Sequence, residues 1–231
     1  MKTRYDMKQA AAWLRGLSAR TGVPPLDREL LQMPLEVLTD SELAVIVEAG
    51  ERTGQKLYPF KTDKDLMPRV RRVLSFLHGV QPQSLLDVGS GRGVFLLPFL
   101  EEFPQTPVTA VDLLDKRVCF LQDLAIGGYG QLQVYQRDIC SQPFPERSFD
   151  VVTVLEVLEH IPQVQMAVAA AVKMAKRYVV VSVPSKPDDN PEHIHLLTKD
   201  VLTELFAKAG CQRLHFDGVN GHLILVATVE E

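Results

Sequence analysis

The sequence predicts an α/β protein with a doubly wound, seven-stranded, mostly parallel sheet, an antiparallel last strand and an N-terminal helical extension. From Gln83 onward, Val- and Leu-rich runs alternate with helical stretches, which is typical of parallel strands covered by helices on both faces. Only residues 218–221 separate the last two strand-like runs, too few for a crossover helix, so these strands must be antiparallel. The first 80 residues carry helical patterns without strands. The chain therefore divides into an extension or lid, residues 1–80, and a main domain, residues 81–231.

Three helices are expected in the N-terminal extension. The first is a short helical run over residues 10–17. Thr39 and Glu42 have the spacing of a capping box, which predicts that the second helix begins there. The third, over residues 64–78, carries its apolar side chains on one side. Aromatic residues within 57–61 form a candidate lid segment over an apolar substrate, or else belong to the core.

Seven strands and four helices are expected in the main domain. The predicted strands are, in order, SLLDV, VTAVDL, LQVYQRDI, FDVVTVLEV, RYVVVSV, QRLHFD and HLILVATV. The predicted helices are VFLLPFLEEF, DKRVCFLQDLAI, VQMAVAAAVKMA and TKDVLTELFAKAG. This alternation, followed by one terminal hairpin, is more specific than a generic doubly wound sheet.

Composition excludes several classes of protein. Hydrophobic residues make up 46% of the 231 residues, enough for a large core, and the formal net charge of −4 disfavours a general nucleic-acid binder. The three cysteines are far apart, which argues against a zinc knuckle and is typical of a reducing cytosol. No apolar run is suited to a signal peptide or long enough for a membrane span. These features predict a cytoplasmic protein.

A glycine-rich turn is expected where LLDVGSGRGVF, residues 85–95, leaves a strand and opens a helix. Glycine allows a positive φ and a close approach of ligand to backbone, and the helix N-terminus offers free N–H groups to an anion. No Gly-Lys-Ser/Thr follows, which disfavours a P-loop, and Val94 makes a dinucleotide fingerprint imperfect. Asp87 would repel a pyrophosphate but suits a cation or an ammonium group.

The motif LLDVGSGRG resembles the first motif of the class I S-adenosylmethionine-dependent methyltransferases, and the resemblance covers the chain from residue 83 onward. VTAVDLL and YQRDIC resemble the second and third motifs. SFDVVTVLEVLEHIP resembles the fourth strand and its exit in the type 11/12 and ubiquinone-pathway O-methyltransferases. YVVVSVP resembles the fifth strand, although Lys176 and Arg177 stand where Pro-Gly-Gly is common. The resemblance implies a Rossmann-like transferase.

The resemblance also implies a site for S-adenosylmethionine. Residues 89–91 would line its methionine end, with Asp87 near the ammonium group. Asp112 would bind the ribose hydroxyls, because a carboxylate can accept both, and Asp138 would face the adenine amino group. Each of these last two acids has an alternative role as a cap of the following turn. The expected cofactor residues are Asp87, Gly89, Ser90, Gly91, Gly93, Asp112, Leu113, Asp138, Ile139 and Glu156.

The candidate catalytic residues are His160 and Glu159. Together with Glu156 they have the spacing i, i+3, i+4, so a helix after the fourth strand would place all three on one face, where substrate enters the sheet. His160 could take a proton from a hydroxyl or amine acceptor. The alternative is that His160 braces the loop and Glu156 orders the cofactor pocket.

The same residues, joined by His193 or His195, also have the ligand types of a divalent-metal site. They resemble the Glu-x-x-Glu-His motif and later histidine of the small-RNA 2′-O-methyltransferases. The aromatic-rich run that follows the later histidine in that family is replaced here by residues 196–198, and Thr198 can instead cap the next helix. We therefore assign no metal from the sequence.

The leading functional hypothesis is methyl transfer from S-adenosylmethionine to an O, N or C atom of a small molecule. One alternative is a metal-assisted RNA 2′-O-methyltransferase, so nucleic acid is a less favoured partner. The other is a non-catalytic, S-adenosylmethionine-binding regulatory protein. The sequence leaves the methyl acceptor and the oligomeric state open.

Overall fold

The computed structural model of the chain describes residues 3–56, 67–187 and 189–229. The helices are α1 Arg4–Thr21, α2 Arg28–Gln32, α3 Asp40–Arg52, α4 Pro68–Val80, α5 Leu96–Glu102, α6 Asp115–Gly127, α7 Val164–Met174 and α8 Lys199–Lys208. The strands are β1 Leu85–Val88, β2 Val108–Asp112, β3 Leu132–Gln136, β4 Phe149–Leu155, β5 Ala175–Pro184, β6 Arg213–Val219 and β7 His222–Thr228. The candidate lid segment, residues 57–61, lies outside the described residues.

The seven strands form one sheet in the order β3-β2-β1-β4-β5-β7-β6. Strands β1 to β5 are parallel to one another, whereas β7 is antiparallel to both β5 and β6. Asn220 and Gly221 form the turn between β6 and β7, and both have positive φ, as the common two-residue hairpin turn requires. The α/β fold with an antiparallel last strand is therefore confirmed.

Hydrophobic side chains cover both faces of the sheet. Successive residues of a strand point to opposite faces, so Leu85 joins the core beneath α1, α3, α4, α5 and α6, while Leu86 joins the core beneath α7 and α8. Val151 and Val152 divide between the two cores in the same way. This double coverage explains why the central strands are almost uniformly apolar.

Capping residues and apolar periodicity explain where the N-terminal helices lie. Thr39 and Glu42 form the expected capping box at the start of α3. A second capping box, between Thr3 and Asp6, begins α1 well before residue 10, so this helix is longer than expected. The third expected helix spans Pro68–Val80. Its buried side chains are Val70, Val73, Leu74 and Leu77. No helix in the described ranges is long and apolar enough to cross a membrane.

Small residues allow α1 to pack closely against α6. A Cβ on Gly16 would lie 1.8 Å from the carbonyl oxygen of Asp123, and one on Gly127 would lie 1.6 Å from that of Ala12. Arg20 donates two hydrogen bonds, of 2.8 and 2.7 Å, to the buried carboxylate of Asp123. The extension is thus attached to the helix that follows β2.

Candidate functional site

A cleft of about 620 Å³ opens at the carboxyl ends of the parallel strands. This edge, where the strand order reverses between β1 and β4, is where open α/β sheets bind ligands. The predicted site residues that line the cleft are Asp87, Gly89, Ser90, Gly91, Asp112, Leu113, Asp138, Ile139, Glu156 and His160. Gly93 and Glu159 do not line it. The fold therefore brings most of the predicted site into one cleft.

The glycine turn leaves β1 and forms the floor of the cleft. Gly89, Gly91 and Gly93 have φ values of 67°, 58° and 78°. A Cβ on Gly89 would lie 2.4 Å from the side chain of Val157, whereas in the part of the chain that the structure describes, one on Gly91 would meet no atom closer than 3.8 Å. Gly91 thus leaves its space open to a ligand. Gly93 has another role, because a Cβ there would lie 2.8 Å from Leu97.

Asp87 is a buried acid beneath the glycine turn, with only 3% of its surface exposed. The hydroxyl of Thr153 donates to its Oδ1 at 2.7 Å. Burial raises the pKa of Asp87 to about 6, although hydrogen bonds from Thr153 and Ser90 oppose the shift. A buried acid at a cleft is stabilised in its charged form by a nearby cation.

Asp112 ties the end of β2 to the glycine turn. Its Oδ2 accepts the N–H of Gly91 and its Oδ1 accepts the N–H of Leu114, each at 2.9 Å. Arg117 lies 3.5 Å from Oδ2. Each carboxylate oxygen can accept a second hydrogen bond. Leu113, the next residue, is 62% exposed at the cleft and offers an apolar surface to a ligand.

Asp138 follows β3 and both caps a turn and lines the cleft. Its Oδ1 accepts the N–H of Cys140 at 2.8 Å and its Oδ2 accepts the hydroxyl of Ser141 at 3.1 Å. Burial, with Asp138 nearby, raises the pKa of the Cys140 thiol to about 11, so the thiol is neutral near pH 7. Ile139 is buried beside them. This corner therefore combines apolar surface with a hydrogen-bond acceptor.

The exit of β4 does not form the α-helix that would have placed Glu156, Glu159 and His160 on one face. Glu156 has a φ of 58°, and only a 3₁₀ turn, Leu158–His160, follows. The left-handed residue redirects the chain, so the three predicted side chains do not share one face, and that prediction is wrong. Glu159 is completely buried and does not line the cleft. The side chain of Glu159 therefore cannot reach a substrate in the cleft, as its predicted catalytic role would require.

His160 lines the cleft with one ring nitrogen fixed as a donor. Its Nδ1 lies 2.9 Å from the carbonyl oxygen of Glu192. A carbonyl oxygen only accepts, so Nδ1 carries the proton and Nε2 of the neutral ring keeps a lone pair. The chemistry available at this residue is therefore proton acceptance at Nε2.

A potential metal-ligand cluster lies behind this part of the cleft. One ligand atom from each of Glu159, His160 and His193 lies within 4.8 Å of the others. His195 is not part of the cluster, since its Nε2 lies 3.0 Å from the carbonyl oxygen of Ile161. Glu156 instead accepts a hydrogen bond from a strand residue. The structure thus gathers only part of the ligand set considered from the sequence.

Three residues around Glu156 were missed by sequence reasoning. The hydroxyl of Ser182 donates to Oε1 of Glu156 at 2.7 Å. His222 Nδ1 lies 3.0 Å from Oε2, and Arg69 Nε lies 3.9 Å from Oε1. Ser182 had a signal, a hydroxyl within the apolar run YVVVSVP. Arg69 had only its place in a basic run, RVRR, and His222 had no signal, because α4 and β7 are distant in sequence.

Comparison with protein families gives one match that covers most of the main domain. The sequence profile of a family described as a methyltransferase domain matches residues 62–215. This match confirms the methyltransferase family expected from the motifs.

Curated relatives match shorter parts of the chain. Ribosomal RNA small subunit methyltransferase G of Limosilactobacillus reuteri is 31% identical over 112 residues, which cover 46% of this chain and 46% of that protein. The protein of the same name from Leuconostoc citreum is 52% identical over 44 residues, 19% of this chain and 18% of its own. The chain thus matches less than half the length of these relatives.

Solved structures share the fold at low sequence identity. A SAM-dependent methyltransferase from Aquifex aeolicus superposes with a TM-score of 0.59 at 18% identity, covering 72% of this chain and 92% of that one. Magnesium protoporphyrin IX methyltransferase from Synechocystis PCC 6803, solved with bound SAH, gives a TM-score of 0.58 at 15% identity, covering 84% and 89% of the respective chains.

Proposed function

This chain belongs to the methyltransferase domain family, and we propose that it transfers the methyl group of S-adenosylmethionine to an O, N or C atom of a small molecule. One observation carries the proposal: acids at the ends of neighbouring strands line a single cleft beside an open glycine turn. These acids are Asp87, Asp112, Asp138 and Glu156. S-adenosylmethionine carries an ammonium group, two vicinal ribose hydroxyls and the amino group of its adenine, so it needs hydrogen-bond acceptors at separated points.

The residues of the glycine turn, with Asp87, Asp112 and Asp138, form what we call the donor wall. Asp112 keeps acceptor capacity beyond its bonds to Gly91 and Leu114, which suits the ribose hydroxyls, and Asp138 suits the adenine amino group. Asp87 compensates the ammonium group of the methionine part, and the guanidinium of Arg69 suits its carboxylate. The space that a Cβ on Gly91 would fill admits the ligand to the backbone.

Arg69, Glu156 and His160 form the other side of the cleft, which we call the acceptor wall, although Arg69 on this wall is also the proposed partner of the donor carboxylate. S-adenosylmethionine, when bound, supplies a methyl group on a sulfonium, which needs a nucleophile held in line. His160 Nε2 takes the proton that a hydroxyl or amine acceptor loses, since Nδ1 is held by Glu192. Glu156 is fixed by Ser182 and shapes the wall beside it.

Charge favours a small molecule over RNA as the acceptor. The acidic residues that line the cleft are Asp87, Asp112, Asp138, Glu156 and Glu192, and the arginines are Arg69, Arg92, Arg117 and Arg137. Over the described residues the charges of the cleft are thus nearly balanced, which in a chain of net charge −4 gives little of the positive potential that phosphate backbones require. The RNA-methylating relatives and the Glu159, His160 and His193 cluster favour RNA as the second candidate.

Calorimetric titration of the chain with S-adenosylmethionine and S-adenosylhomocysteine tests the proposal, first with a chelator and then with Mn²⁺. We expect both ligands to bind, with affinities that do not depend on the metal. Methyl transfer from labelled donor to a small-molecule extract would then follow. If neither ligand binds, the proposed site is wrong. Mn²⁺ uptake that His193→Ala abolishes, together with transfer to RNA, would instead support the second candidate.

A further inference from the structure

One histidine beside the acceptor wall does not line the cleft itself. His222 is the first residue of β7 and pairs with Pro184 of β5. The N–H of Ser185 donates to the carbonyl oxygen of Gly221 at 2.8 Å, which fixes the start of the strand. His222 thus reaches the corner where α4 and the exit of β4 meet, behind Arg69 and Glu156.

The two ring nitrogens of His222 face groups of opposite charge. Nδ1 is completely buried and lies 3.0 Å from Oε2 of Glu156, close but not aligned for a linear hydrogen bond. Nε2 lies 3.4 Å from Nη1 of Arg69. An arginine only donates, so Nε2 accepts and the ring proton is on Nδ1, toward the carboxylate. Neutral His222 therefore matches both neighbours at once.

We propose that His222 is a positioning residue that holds the Glu156 carboxylate and the Arg69 guanidinium in place on the cleft wall through its two ring nitrogens. This inference rests on the proposed function, because Arg69 is there the partner of the ligand carboxylate. His222 acts through these two residues and has no direct contact with substrate.

The backbone at Glu156 explains why such a residue is needed. With a φ of 58°, Glu156 adopts a conformation that side-chain-bearing residues rarely take, so surrounding contacts must hold it. Its N–H donates to the carbonyl oxygen of Ser182 at 2.8 Å, and its Oε1 accepts the hydroxyl of the same residue at 2.7 Å. Nδ1 of His222 lies 3.0 Å from the other carboxylate oxygen, so each oxygen of Glu156 has a polar neighbour that limits rotation of the carboxylate.

Arg69 depends on the same histidine. In this corner its guanidinium lies 3.9 Å from the Glu156 carboxylate and 3.4 Å from the His222 ring, and both distances are longer than a strong charge-assisted bond. A guanidinium has five N–H donors, and these two contacts with described residues leave donors for an anion in the cleft. Its neighbour on α4, Arg72, is paired with Asp217 of β6, which attaches the helix to the same hairpin. His222 therefore sets the direction of Arg69 and leaves donors for the ligand.

Titration of the chain with S-adenosylhomocysteine tests the role of His222, using His222→Ala, His222→Gln and the control His215→Ala. His215 is an exposed histidine on β6 of the same hairpin. We expect His222→Ala to weaken binding about tenfold, a loss typical of displaced charged partners. Gln can donate toward Glu156 and accept from Arg69, so His222→Gln should stay within about threefold of the parent. His215→Ala should match the parent.

Nitrogen-15 spectra of the imidazole rings provide a second readout, because they show which ring nitrogen of His222 carries the proton. A merely structural role would not require one particular nitrogen to be protonated. At pH 8 we expect His222 to carry its proton on Nδ1, and in Arg69→Gln we expect His222→Ala to cause no further loss of affinity. A ring protonated on Nε2, or equal losses in His222→Ala and His222→Gln, would overturn the inference. Parent-like binding by His222→Ala would overturn it too. Failure of the parent protein to bind the ligand would overturn the proposed function as well.

Discussion

The donor wall and the acceptor wall of the cleft are assembled in different ways. Every donor-wall residue lies at or just after the end of a strand, within residues 87–138, and most of the contacts are local, as between Asp112 and the N–H of Gly91. The acceptor wall combines side chains from α4, the exit of β4, β5 and β7, from Arg69 to His222. Local motifs therefore specify the residues proposed to hold the ammonium, ribose and adenine groups of the donor, whereas tertiary packing specifies the opposite wall, including Arg69, the proposed partner of the donor carboxylate.

The largest effect is expected from a substitution that changes the acceptor wall alone. His160→Gln removes the Nε2 lone pair of the imidazole, so methyl transfer should slow about 100-fold, the usual lower range for a general base. Affinity for S-adenosylhomocysteine should stay within about twofold, because no donor-wall contact changes. Single-turnover transfer and calorimetry measure the two quantities. An unaltered transfer rate would reduce His160 to a structural residue and weaken the division between the walls.

The converse change tests the donor wall. Asp112→Ala removes the acceptor of both the Gly91 N–H and the proposed ribose hydroxyls, and should weaken binding of S-adenosylmethionine by about 1–3 kcal/mol. Asp115→Ala is the control, because this exposed acid lies in the next turn but does not line the cleft. Calorimetry that shows unchanged affinity for Asp112→Ala would refute the assignment of this acid.

A third change asks what the donor wall contributes to stability. Burial raises the pKa of Asp87 to about 6, above its usual value of 3.8. The folded state therefore holds the proton more tightly, so the contribution of Asp87 to stability is fully present below pH 4 and is lost as the pH rises to about 6. Asp87→Asn should raise the free energy of unfolding at pH 8 by about 1–3 kcal/mol while weakening cofactor binding.

Denaturant unfolding at pH 4 and pH 8 measures this effect. The gain should nearly vanish at pH 4, where the parent carboxyl is largely protonated. Asp150→Asn supplies the contrast, because Asp150 is also buried but accepts hydrogen bonds from Arg177 at 3.0 Å and from the N–H of Gln83 at 2.9 Å. That variant should be less stable than the parent. An Asp87→Asn protein that is less stable at pH 8 would contradict the assigned cost of the buried charge.

The difference between the walls also limits what sequence reasoning can predict. The fold and the donor acids followed from strand periodicity and from motifs at strand ends, which local residues determine. The exit of β4 did not, because the left-handed Glu156 is held by Ser182 and His222 from other strands. Glu159 had the residue type of a catalytic acid, but its burial depends on packing that the spacing cannot reveal.

The smallest expected effect comes from replacing glycine in the donor wall. It distinguishes the cost of a strained backbone from the cost of crowding a neighbouring side chain. Gly89 and Gly54 have similar positive φ values, 67° and 75°, but a Cβ on Gly54 would meet no atom of the described residues within 4 Å. Gly54→Ala should therefore cost about 1 kcal/mol of stability through strain alone. Gly89→Ala should cost about 1 kcal/mol more, because the new methyl group would displace the side chain of Val157 against the cleft. Thermal and denaturant unfolding measure both. Equal losses would mean that conformation, rather than the space between the two walls, requires glycine at position 89.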